Sequence, residues 1–203
     1  MFFTIKEIFE IVIVTIFVGI IFMGLFKKRN SFVYASGTGF IGLFDKSAFI
    51  KSILVFGPAI ILHELGHKFM AMAFGSSAYF NAAYQFLFLA LLLRLIGLNF
   101  FFIIPAYVSF PIMGLNNLQM SLIAFAGPLV NLILFLIAMI ILRKPKKYYM
   151  MIFKEYNDKK YNDFLEVLNI TKKINLLLFG LNMLPIPPLD GFSVFSNIFK
   201  FLF

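Results

Sequence analysis

Residues 53–74 read ILVFGPAIILHELGHKFMAMAF, an apolar run with His63, Glu64 and His67 near its middle. A helix needs roughly 20 mainly apolar residues to cross the hydrocarbon of a bilayer, so this run is long enough to span. Ionisable side chains are costly at that depth, and those that occur there generally have a function. The i, i+4 spacing sets both imidazoles on one helix face with the glutamate beside them. Two histidines and a glutamate so arranged form a recognised zinc-binding pattern. The simplest reading is a metal site buried in a membrane.

The rest of the chain fits that setting. Of its 203 residues, 62% are hydrophobic and 13% charged, with a mean hydropathy of +0.95. Soluble domains are about half apolar and a quarter charged. One transmembrane domain over residues 1–203 is therefore expected, with no water-soluble half. The net charge of +9 does not point to nucleic acid, because the basic residues flank apolar runs. Lys27, Lys28 and Arg29 follow the first run, and Arg143, Lys144, Lys146 and Lys147 follow a later one. That placement suits anchoring on the anionic cytoplasmic leaflet of a cell membrane. The chain has no cysteine, so any metal must be held by histidine and carboxylate. Lys6, Glu7 and Glu10 precede the first apolar run without a small-residue cleavage site, which reads as a retained span.

Residues 8–26, 53–74 and 118–142 are each expected to span. A fourth span begins near Ile174, is broken over residues 185–191 and resumes to Phe203. Residues 84–104 are also apolar but are interrupted by Arg94, Gly97 and Asn99 and stopped by Pro105 and Pro111. They form either a full crossing or a re-entrant hairpin. A single crossing would put the two basic clusters on opposite sides, whereas a re-entrant segment keeps both cytoplasmic. The His63 helix then enters from the cytoplasm, with His63 roughly 15 Å deep. Arg94 is expected to snorkel or to line the re-entrant segment. Residues 30–51, with Ser-Gly-Thr-Gly at 36–39, suit a short hairpin or membrane-edge loop. Residues 148–173 suit an amphipathic segment at the cytoplasmic interface. The expected fold is an all-α integral membrane bundle of about four to six spans. It carries a re-entrant or extra apolar segment and a proline-broken late helix.

Hydrolytic zinc takes three protein ligands and keeps a fourth position for water. His63 and His67 supply two, and Glu64 in this motif is the general base. Acidic residues inside apolar segments are scarce, and the best candidate for the third ligand is Asp190. It lies in Leu-Pro-Ile-Pro-Pro-Leu-Asp-Gly at 184–191, where prolines break the last span. Broken backbone at membrane depth survives only within protein or beside a water-filled cavity.

Three motifs in order resemble the site-2 protease family of intramembrane zinc metalloproteases. They are His-Glu-Leu-Gly-His at 63–67, Gly-Pro-Leu-Val-Asn at 127–131, and Asn-Met-Leu-Pro-Ile-Pro-Pro-Leu-Asp-Gly at 182–191. The resemblance implies one Zn²⁺ held by His63, His67 and Asp190, with Glu64 activating water. It implies that Asn182 holds substrate and that Asn131 has a structural or substrate-supporting role. The expected substrate is a transmembrane helix of another membrane protein, cut within or at the edge of the lipid, at a site reached from the cytoplasmic side. Such a helix must unwind before cleavage, and asparagine amides offer its freed backbone both a donor and an acceptor. Two other classes compete: a membrane metal-binding or transport protein, and a catalytically silent membrane scaffold. Both would tolerate loss of the Glu64 carboxylate.

Overall fold

The computed structural model describes residues 2–26, 44–95 and 105–203. The chain begins with α1 (Ile5–Phe22), which ends in a 3₁₀ turn (Met23–Phe26), and continues with α2 (Lys46–Ala73). A short excursion follows: β1 (Tyr79–Ala82), α3 (Tyr84–Leu95) and β2 (Ala106–Ser109). The remainder is helical: α4 (Asn117–Arg143), α5 (Pro145–Phe153), α6 (Asp158–Asn182) and α7 (Asp190–Leu202). Polar side chains set the helix starts by accepting otherwise unpaired N–H groups. Thr4 and Glu7 form a capping box on α1, and Asn116 and Gln119 form one on α4. Asp45 caps α2 and Asn157 caps α6.

α4 is the central helix, packed against α2, α6 and α7, while α1 lies on the far side of α2. On α1, Val14, Val18 and Ile21 point into the core. Ile5, Ile8, Phe9, Val12 and Ile16 point outward and stay exposed. An outward face this apolar is a lipid face, since water-exposed helices are polar there. Three described helices are long and apolar enough to cross a membrane: Ile5–Phe26, Lys46–Ala73 and Asn117–Arg143. These are the first three expected spans, and the fold is an all-α membrane helix bundle. The Asp45 cap starts α2 seven residues before the expected position 53. His63 therefore sits about 25 Å from the start of its helix and about 15 Å from its end.

The residues that flank 84–104 meet one another. β1 and β2 pair antiparallel, Ala82 opposite Ala106, and the Ala83 N–H donates to the Pro105 carbonyl at 3.0 Å. The chain thus leaves and returns at the same level, as a re-entrant segment does. Residues 96–104 lie outside the described residues, as do the 36–39 loop and the basic cluster at 27–29. Arg94 reaches the turn after α1, its guanidinium against Gly24.

The late region departs from expectation. Residues 148–173 are not one interfacial segment: α5 takes the first part and α6 already begins at Asp158. No helix breaker separates Asp158 from Ile174. Val167, Ile170 and Ile174 fall on one face and pack against the core. On the same helix, Asp163 and Glu166 each receive Lys51 of α2 at 2.5 Å. α6 is therefore a full bundle helix of 25 residues that ends at Asn182. The proline stretch separates it from α7, which starts at Asp190.

Candidate metal centre

The site forms where α2, α4 and the start of α7 meet. Both imidazoles are buried, each 8% exposed. Their Nε2 atoms lie 3.1 Å apart, and Asp190 Oδ2 lies 3.1 Å from His63 Nε2 and 3.5 Å from His67 Nε2. Ligands at about 2.0–2.1 Å around a tetrahedral zinc stand roughly 3.3 Å from one another. The triangle has the size of a zinc site.

Hydrogen bonding on the outer side of each ring fixes the protons. His67 Nδ1 lies 2.7 Å from the Ile123 carbonyl, which can only accept, so Nδ1 carries the hydrogen. His63 Nδ1 lies 2.6 Å from Asn131 Oδ1, whose Nδ2 donates to the Ala59 carbonyl at 2.8 Å. The amide is thus oriented with its oxygen toward His63, and that Nδ1 also carries its hydrogen. Both Nε2 lone pairs and a carboxylate oxygen then converge with no donor among them. A cation between them relieves that repulsion, and neutral histidines tied through the opposite nitrogen are the usual metal-ligand form. His63, His67 and Asp190 are the group of described residues able to hold a metal ion.

Close approach of α4 to α2 makes this possible. A β-carbon on Gly127 would lie 2.7 Å from His63 Nε2, and one on Gly66 would lie 2.8 Å from the Ala126 carbonyl oxygen. Glycine at both positions lets the backbones meet. Asp190 arrives on the first turn of α7, where the helix dipole favours a negative charge.

A cavity of about 540 Å³ opens on His63, His67 and Asp190. Glu64 and Asn182 lie on its wall, both half-buried. Apolar side chains including Phe86, Tyr107, Phe110, Ile123 and Leu178 complete it. Asn131 is elsewhere: it is fully buried, both of its N–H donors go to Ala59 and Asn175, and its oxygen meets His63 Nδ1. Of the two roles the motif resemblance leaves for Asn131, the geometry favours the structural one over contact with substrate.

Sequence reading missed a second set of residues. Glu7 falls just before the expected first span and Glu10 within its first turn, and with α1 starting at Ile5 both are buried, at 1% and 4% exposure. Glu7 accepts Lys68, the residue after His67, and the Phe80 N–H at 2.7 Å. Glu10 accepts the Ala82 N–H at 2.9 Å. Two carboxylates one helical turn apart thus occupy the outer edge of β1 and tie the re-entrant segment to the metal helix. The signal was present as acidic residues at i, i+3 and a lone lysine inside an apolar run. Asn175, also fully buried, was missed too.

The sequence profile described as peptidase family M50 matches residues 51–203. A Methanocaldococcus jannaschii protein named "putative zinc metalloprotease" is 36% identical over 152 residues, which cover 74% of this chain and 72% of that protein. No solved structure matches the chain. With its histidine pair, its Asp-Gly element and its membrane bundle all inside or against the matched stretch, the chain belongs to peptidase family M50, the site-2 protease family, and is a membrane zinc metalloprotease.

Proposed function

We propose that the chain is an intramembrane endopeptidase that hydrolyses a peptide bond within, or at the edge of, the transmembrane helix of another membrane protein. One observation carries this reading: three metal-binding atoms and a free carboxylate share one cavity midway along a membrane-length helix. Zn²⁺ held by His63, His67 and Asp190 would polarise the scissile carbonyl and make water acidic enough to attack at neutral pH. Glu64 takes the proton of the attacking water and returns it to the departing amine. Asn182, on the cavity wall, offers both a donor and an acceptor to the substrate backbone.

The bound segment must be extended, because a helix hides its own carbonyls. β2 supports this requirement. Phe80 and Ala82 direct their N–H groups at α1, so their partners Val108 and Ala106 direct theirs away from β1. Ala106 and Val108 also line the cavity. An unwound stretch of substrate finds there the backbone partners it loses on leaving its helix.

The test is cleavage of single-span substrates by the purified chain in detergent. Glu64→Gln should lower the rate by about 10²–10⁴-fold while leaving zinc bound, and a chelator should abolish cleavage reversibly. Cleavage that survives both treatments would overturn the reading. Zinc carried across vesicles with Glu64→Gln unimpaired would favour transport instead.

A further inference from the structure

Beside the metal ligands runs a buried line of amides that crosses three helices. Asn131 on α4 and Asn175 on α6 are each 0% exposed. Asn175 Nδ2 donates to the Thr171 carbonyl at 2.9 Å, so its Oδ1 faces Asn131. Asn131 Nδ2 donates to that Oδ1 at 3.0 Å and to the Ala59 carbonyl at 2.8 Å. Its own oxygen is left for His63 Nδ1 at 2.6 Å. Backbone carbonyls, which can only accept, close two ends of the line, and this fixes its direction.

We propose that Asn175 is a positioning residue for the metal centre: acting through Asn131, it holds His63 in the tautomer and ring setting that turn its Nε2 lone pair toward the other two ligands. The inference rests on the zinc site proposed above. Turning the Asn131 amide over would place its oxygen against two acceptors, Ala59 and Asn175, and its N–H₂ against His63. The ring would then carry its hydrogen on Nε2, aimed at the metal position. Asn175 supplies one of the two acceptors that forbid this. Without it, Asn131 keeps a single anchor and one unpaired N–H in a dry interior. The line also joins the helix bearing His63 to α6, the helix that leads through Asn182 to Asp190. One contact thereby sets a histidine ligand relative to the helix that delivers the carboxylate.

The experiment reads metal binding, without substrate, on the full chain in detergent. Asn175→Leu fills the position and Asn175→Ala empties it, each made alone and together with Asn131→Leu. Zinc affinity is measured by competition with a chromophoric chelator, and Co²⁺ serves as the spectroscopic probe of ligand geometry. We expect about tenfold weaker zinc binding and a changed Co²⁺ spectrum in the single variants. In the Asn131→Leu background, changing Asn175 should add nothing, because its route to His63 is already cut. Full zinc affinity in a folded single variant, or equal losses in both backgrounds, would overturn the proposal. So would unfolding of both variants with zinc present, since Asn175 would then serve packing alone. A wild-type chain that binds zinc and shows these couplings but never cleaves would sink the protease reading and leave this inference standing.

Discussion

Gly127 has no side chain because two imidazoles occupy the space one would need. Its hypothetical β-carbon falls 2.7 Å from His63 Nε2 and against the His67 ring as well. Gly127→Ala should therefore displace a ring, weaken zinc binding at least tenfold, and cost about 1–3 kcal/mol of stability through overpacking. Metal titration and thermal unfolding in detergent check both. Gly180 is the control: a β-carbon there meets nothing within 4 Å. Gly180→Ala should leave zinc affinity unchanged and add up to about 1 kcal/mol from helix propensity. If both substitutions behaved alike, close approach would not explain Gly127. At this scale the sequence was legible where chemistry is local. His63, Glu64 and His67 declare themselves by spacing along one helix. Asn131 did not, because nothing in its own neighbourhood says whether its amide meets substrate or a histidine.

At the scale of elements, the re-entrant segment is held by α1. Glu7 and Glu10 take the outer N–H groups of β1, and Lys68 brings its charge from α2 to Glu7. Glu7 and Lys68 are both almost fully buried. Removing one partner of a buried ion pair strands the other charge, at about 3–5 kcal/mol. Lys68→Met should destabilise the chain by that order. Adding Glu7→Gln should recover part of the loss, because glutamine is neutral and its carbonyl can still accept the Phe80 N–H. A double-mutant cycle of unfolding in detergent reads this, and additive losses would contradict the pairing. Glu10→Gln, which keeps the acceptor for Ala82, should cost far less. None of this followed from periodicity. The sequence shows where an apolar helix could start, but partners from α2 and β1 let the charged residues lie inside it. The early start of α6 has a similar origin: Lys51 pairs with both Asp163 and Glu166, and Val167, Ile170 and Ile174 find the core.

Over the whole molecule, three described helices are long and apolar enough to cross a bilayer, and the β1–β2 pairing brings both ends of the α3 excursion to one level. The chain contains no cysteine, so single cysteines report topology cleanly. Ser77 and Met113 flank the excursion and are both exposed. Ser77→Cys and Met113→Cys should react with a membrane-impermeant thiol reagent from the same side of oriented vesicles. Labelling from opposite sides would restore a single crossing and undo the pairing of Ala82 with Ala106.

Some of this protein is decided by spacing alone. Apolar runs of bilayer length fix the helices of the bundle, and a four-residue interval puts two imidazoles on one face. A proline-rich interruption marks where the last helix must break. These properties repeat with the geometry of a single helix or follow from proline itself, so sequence suffices. Other properties belong only to the packed bundle: the meeting of Asp190 with both rings, the turning of Asn131 toward His63, and the burial of Glu7 beside Lys68. Helical spacing says which way a side chain points, and packing decides what it meets there.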